Sequence, residues 1–161
     1  MKTYYLTLSQ VFPSTHPRAG KPTFFRDKLH AALTDNADYW NKLHTIRANY
    51  EFWAKRFEKI SAGEAVLSIR EWVGKPYGKG SSMRELALLT HEDGIGIQKL
   101  EFKEIRKDFI AATIDGKPWP REIIALNDGL SLQDWREWFK GYDQGKPMAI
   151  IHFTDKRYHQ L

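Results

Sequence analysis

Met1 to Ser9 alternates apolar and polar positions in the way a half-buried strand does. Pro13, Pro17, Gly20 and Pro22 then punctuate an extended loop, Val11 to Lys21, which carries His16 and Arg18. Helical spacing takes over from Thr23 to Thr34, with Phe25, Leu29 and Ala32 on one face and Pro22 suited to the first turn. Asn49 is a candidate N-cap for a second helix, Tyr50 to Ala62, which turns Trp53, Phe57 and Ile60 inward and stops at Gly63. Beyond it the period changes. Ala65 to Val73 reads as a strand, the glycine-rich stretch 74–80 as a long hairpin connection, and Arg84 to Thr90 as the returning strand.

The second half continues in short pieces. Asp93-Gly94-Ile95-Gly96-Ile97 turns the chain into Gln98 to Phe102, Phe109 to Ile114 forms a strand with a turn at Asp115 to Trp119, and Glu122 to Leu126 reads as another short strand. Asn127 to Ser131 opens a helix in which Ser131 and Asp134 resemble a capping box, with Leu132, Trp135 and Phe139 as its apolar stripe. The unbroken apolar run from Met148 to Phe153 predicts a buried strand. Short strands with helices inserted between them predict an α+β fold, a small curled sheet or barrel carrying helices, rather than a wound βαβ sheet. No repeat or linker interrupts residues 1–161, so one domain is expected.

Composition narrows the classes. Hydrophobic residues at 42% and aromatics at 14%, spread along the chain, exclude intrinsic disorder. No apolar run reaches the length of a membrane span, and the N-terminus lacks the apolar region of a signal peptide, which together predict a cytoplasmic protein without membrane contact. The absence of cysteine excludes disulfides, thiolate catalysis and zinc–thiolate sites. A net charge of +5 suits a phosphate-bearing partner such as RNA only where bases cluster. They do so in the loop Gly74 to Gly80, and more dilutely in the mixed segment Lys99 to Lys107.

Candidate chemistry concentrates at Lys42-Leu43-His44-Thr45-Ile46-Arg47, at a junction between elements, where reactive groups are commonly displayed. A basic residue, a hydroxyl and a second basic residue fall within these six positions. In a regular strand Lys42 and Thr45 would face opposite ways, whereas Thr45 and Arg47 share a face. Lys42 must therefore precede the strand, or a bulge must turn it. The plainer reading makes Lys42 and Arg47 surface ion-pairing residues and Thr45 an ordinary strand residue. Phe25 reads both as core and as a stacking ring, and Trp72, Lys75 and Tyr77 interleave aromatics with a base, as nucleobase-binding surfaces do. The six histidines show no metal-ligand spacing, and neither metal nor cofactor is expected.

Several of these features occur together in a known family. Thr23-Phe24-Phe25 before a helix, Lys42-x-x-Thr45-x-Arg47, Gly63 before a strand, Asp128-Gly-Leu-Ser-Leu-x-Asp-Trp and a final apolar strand ending in Phe153 resemble an ASCH domain of the PUA-like superfold. That superfold is a small β-barrel with flanking helices. The Lys-x-x-Thr-x-Arg form is similar to the small amidohydrolases that deacetylate 4-acetylcytidine. The resemblance implies Lys42 as proton acceptor, Thr45 as nucleophile, Asp128 as proton donor and Arg47 as a substrate-orienting residue. Asp128 stands where that family has glutamate, and the chain is longer at 13–22, 35–41 and 90–122. The expected function is hydrolysis of an acylated nucleoside or related small amide, without an obligate protein partner. The alternatives are a non-catalytic RNA or modified-nucleotide binding module and an interaction domain whose motif only stabilises the fold.

Overall fold

The computed structural model describes residues 1–106 and 109–159; Lys107, the end of the mixed basic segment, lies outside them. Among the described residues the elements run β1 (Lys2–Thr7), α1 (Phe25–Leu33), β2 (His44–Ala48), α2 (Tyr50–Ser61), β3 (Ala65–Val73), β4 (Ser82–Leu89), β5 (Gly96–Arg106), β6 (Phe109–Ile114), β7 (Lys117–Trp119), α3 (Arg121–Asn127), α4 (Leu132–Phe139) and β8 (Met148–His152). The fold is α+β, as the pattern predicts. Its eight strands form two sheets, β1-β3-β4 and β2-β8-β5-β6-β7, and no closed barrel is found among the described residues. No helix is long and apolar enough to cross a membrane.

The last strand anchors the larger sheet. All five residues of β8 are buried, and it pairs antiparallel with β2 on one side and β5 on the other, which explains its unbroken apolar sequence. Helix α2 packs against β3, β5 and β8 and so bridges the two sheets. Its inward residues are the expected Trp53, Phe57 and Ile60, and Gly63 ends it at a positive φ of 75°. Asn49 caps it by accepting a hydrogen bond from the Phe52 N–H at 3.3 Å.

Several sequence expectations are corrected. Glu122 to Leu126 is helical, not extended: Pro120 starts α3, and the run Ile123-Ile124-Ala125-Leu126 hides its helical period because only Ile124 and Ala125 are buried. Asn127 and Asp128 consequently close α3 rather than open α4, and the Asp128 N–H bonds the carbonyls of Ile124 and Ala125, each at 3.0 Å. Helix α4 does start at Ser131, whose hydroxyl accepts from the Asp134 N–H at 3.2 Å. The Asp134 carboxylate turns away from the box to Arg18, 2.5 Å away. Helix α1 begins at Phe25, later than expected, because Phe24 adopts a left-handed conformation that leaves its ring exposed.

Asn49 combines a cap with a left-handed backbone, φ 66°. Asn49→Ala is expected to lose about 1–2 kcal/mol of unfolding free energy, and Asn49→Gly only a few tenths, as read from urea midpoints. Equal losses in both variants would show that backbone conformation contributes nothing there.

Candidate active site

Lys42 lies before β2, outside the alternation of the strand. The backbone of 42–43 is stitched to three neighbours: Lys42 N–H to the Lys28 carbonyl (2.9 Å), Leu43 N–H to the Asn127 carbonyl (2.8 Å), and Phe153 N–H to the Leu43 carbonyl (3.0 Å). This ties the approach to β2 to the ends of α3 and β8. The direction of the Lys42 side chain is thus set by those bonds, not by the pleat.

Its ammonium reaches the C-terminus of α3. Lys42 Nζ donates to the Asp128 carbonyl at 2.6 Å and to Asp128 Oδ1 at 2.8 Å, and it lies 4.0 Å from the centre of the Phe25 ring. Lys42 and Asp128 are 2% and 3% exposed, so this is a fully buried ion pair. Lys28 Nζ bonds the next carbonyl, that of Gly129, at 2.8 Å, and its charge sits 4.0 Å from the Trp40 ring centre. Two lysines therefore cover the carbonyl end of α3, where the helix dipole is negative. Gly129 is required between them: its φ is +79°, and a Cβ there would stand 3.3 Å from Lys28 Cδ and 3.4 Å from Lys42 Cβ.

Thr45 and Arg47 share the face of β2 that looks onto the same place. With Phe25, Lys42, Asp128 and Trp138 they line a cavity of about 20 Å³, room for one water-sized group. The Arg47 guanidinium donates to the Thr7 carbonyl. Of the residues singled out in the sequence, Lys42, Thr45, Arg47, Asp128 and Phe25 converge. Trp72, Lys75 and Tyr77 do not line this cavity; the Trp72 and Tyr77 rings meet at 4.8 Å with their planes tilted by 53°, where β3 runs into the following loop, and the 74–80 loop is no part of its wall. Neither Tyr39 nor Trp40 fills it.

Burial pushes the Lys42 ammonium below its ordinary range, and Asp128 only partly restores it. Burial pushes the Asp128 carboxyl up, but the Lys42 charge and the nearby His44 outweigh it, so the carboxylate stays ionised. Lys28 falls to about 8 through burial, then the charges of Lys42 and Arg18. Desolvation likewise lowers Arg47.

Behind Asp128 lies a group of residues that spacing alone did not reveal. His44 Nδ1 is 3.7 Å from Asp128 Oδ1, too long for a hydrogen bond, and has no other partner. Its Nε2 meets the Tyr158 hydroxyl at 2.7 Å, and the Asn127 amide donates to that hydroxyl at 3.0 Å. His152, directly opposite His44 in register, meets the Gln98 side-chain oxygen through Nε2 at 2.9 Å. The available signal was the position of His44 inside the motif; its pairing with His152 depends on a strand register that no local spacing encodes. Among the described residues, no group of three or more His, Asp or Glu is arranged to hold a metal ion.

Two outcomes follow from these burials. Asp128→Ala leaves Lys42 buried and unpaired and is expected to lose about 3–5 kcal/mol in urea unfolding, while Lys42→Met added to it restores most of that loss. If the double variant unfolds as early as the single one, the pair is not the origin of the loss. Burial, followed by the neighbouring His44 imidazole and the Arg157 charge, holds His152 down at about 2, against 6.5 unfolded. Between those values the unfolded chain binds the proton and the native one does not, so stability rises with pH and is lost on acidification below about 6.5. The fall in urea midpoint from pH 7 to pH 5 is expected to shrink in His152→Asn; an unchanged fall would assign it to other groups.

No family model matches the chain, and neither a curated protein nor a solved structure matches it.

Proposed function

We propose that this chain is a PUA-like ASCH domain that hydrolyses an acylated nucleoside of the 4-acetylcytidine type, or a closely related small amide. The carrying observation is the buried contact of Lys42 Nζ with Asp128 Oδ1, 2.8 Å, in the wall of a cavity that Thr45 and Arg47 also line. The order of the motifs along the α+β chain supports the same reading.

The chemistry balances around one proton. A free lysine titrates near roughly 10.4, and a base useful at neutral pH needs a shift of about three units, roughly 4 kcal/mol. Burial acts in that direction. Transfer of one proton from Lys42 to Asp128 turns the ion pair into a neutral amine and a neutral acid without moving net charge through the protein. Thr45 Oγ1 then attacks the amide carbonyl and gives its proton to Lys42. Asp128 protonates the leaving nitrogen as the C–N bond breaks, and the original ion pair returns with Thr45 acylated. In the second half, Asp128 takes a proton from water as its oxygen attacks the ester, and Lys42 returns one to Thr45. Arg47 orients the acyl oxygen. Because the cavity admits only a water-sized group, the acyl end enters by parting the wall of Phe25, Leu130 and Trp138.

The test is turnover of 4-acetylcytidine by the purified protein beside Thr45→Val and Lys42→Met. Wild-type deacetylation that falls by roughly 10²-fold or more in both variants, with circular dichroism unchanged, supports the reading. Absence of turnover in the wild type overturns the substrate assignment, and activity retained in Thr45→Val overturns the nucleophile.

A further inference from the structure

A second, larger pocket opens on the other side of Asp128. It has a volume of about 480 Å³, and His44, Trp119, Asn127, His152 and Tyr158 contribute to its wall. The volume suits a ligand of one or two rings. The wall is built of rings: Trp119 meets Tyr158 edge-on at 5.0 Å, and the Tyr158 ring lies 5.7 Å from His44 and 5.9 Å from His152. Such walls favour a flat aromatic occupant.

The hydrogen-bond pattern of this wall is fixed from the ion pair outward. The His44 nitrogen that faces the Asp128 carboxylate is Nδ1, 3.7 Å from Oδ1, and a proton on that nitrogen, not on Nε2, lies toward the negative charge. Burial keeps His44 neutral, which leaves Nε2 to accept from the Tyr158 O–H. The Tyr158 oxygen in turn accepts from Asn127 Nδ2. Asn127 therefore presents its carbonyl oxygen, Oδ1, as an acceptor without a bonded donor among the described residues. A second chain gives the same sign. Gln98 donates through Nε2 to the Tyr158 carbonyl at 2.9 Å and accepts through Oε1 from the Tyr158 N–H at 2.8 Å, so its oxygen faces His152. His152 must then donate from Nε2, and its Nδ1 keeps a lone pair. Asn127 and His152 thus each keep an acceptor without a bonded donor among the described residues.

Charge decides against a strongly anionic ligand. Lys156 and Arg157 stand at the pocket together with Asp155. The Arg157 guanidinium is spent on three carbonyls, those of Gly94, Thr154 and Lys156, at 2.6 to 2.8 Å, and the Lys156 ammonium lies 3.8 Å from Asp35. The Arg157 guanidinium is thereby turned to the main chain, not left free to hold a phosphate.

We infer that this pocket is a binding site, separate from the Lys42 cavity, for an uncharged planar nitrogen heterocycle bearing an exocyclic amine, as an aminopyrimidine or aminopurine ring does. The inference does not rest on the hydrolase reading, because it needs only the fixed acceptors and the ring wall.

Calorimetric titration with cytidine, adenosine and uridine tests it. Cytidine or adenosine is expected to bind at roughly millimolar Kd or tighter, and uridine at least about tenfold more weakly, since its carbonyl would meet the two acceptors. Ile123→Trp, which places a large ring in the pocket mouth, is expected to abolish binding. Trp119→Ala, at a partly exposed position, is expected to weaken it about tenfold or more and serves if the first variant does not fold. No binding by any of the three, equal binding of uridine, or binding that neither variant reduces would overturn the assignment. Turnover of 4-acetylcytidine, read separately, is not an arm of this test, so the two readings can fail independently.

Discussion

The contact on which the other features of this molecule converge is the ion pair between Lys42 and Asp128. Two charges with almost no exposure sit at the end of α3. Desolvating them is expensive, and the attraction offsets that only with close geometry and further hydrogen bonds. The structure supplies both. Lys42 Nζ bonds the main-chain carbonyl and the carboxylate of the same residue, so the ammonium is held by two acceptors whose separation is fixed within one amino acid. Gly129 keeps the space clear, and the backbone of 42–43 is tied to α1, α3 and the end of β8. The position of Lys42 is thus set by the same bonds that assemble the fold.

Elements whose signals are local were legible in the sequence. Helix α2 is marked by Asn49, by the spacing of Trp53, Phe57 and Ile60, and by Gly63; β3 spans the expected residues, and β8 is marked by its buried run. Helix α3 was not legible, because four consecutive apolar residues carry no period and its start rests on a single proline. Of the candidate site, the Lys42, Thr45 and Arg47 geometry followed from the two-residue period of a strand once Lys42 was placed before it. The pairing of Lys42 with Asp128, far apart in sequence, was reachable only through the family resemblance. The His44–Tyr158 and His152–Gln98 contacts were not reachable, since they depend on the register of β2 against β8 and of β8 against β5 and on the path of the chain after β8.

Asp128 has a different neighbour on each side. Lys42 faces it from the small cavity, and His44 approaches it from the large pocket. Each neighbour favours the ionised carboxylate, and together they overcome the burial that would protonate it. A carboxyl poised in this way cannot act as an acid until a proton is delivered to it, and the nearest proton belongs to Lys42. The base and the acid of the proposed reaction are therefore one pair in two states, not two independently tuned groups.

The same arrangement depends on the length of the Asp128 side chain. A residue one methylene longer would carry its carboxylate away from its own main-chain carbonyl, and Lys42 could not bridge both at 2.6 and 2.8 Å without moving. The shorter side chain also keeps Oδ1 within 3.7 Å of His44, which sets the proton of that imidazole and, through Tyr158 and Asn127, the polarity of the pocket beyond. The length of one side chain at the end of a seven-residue helix thus bears on two things at once: the position of the Lys42 ammonium, and the acceptors that Asn127 and His152 keep in the wall of the larger pocket.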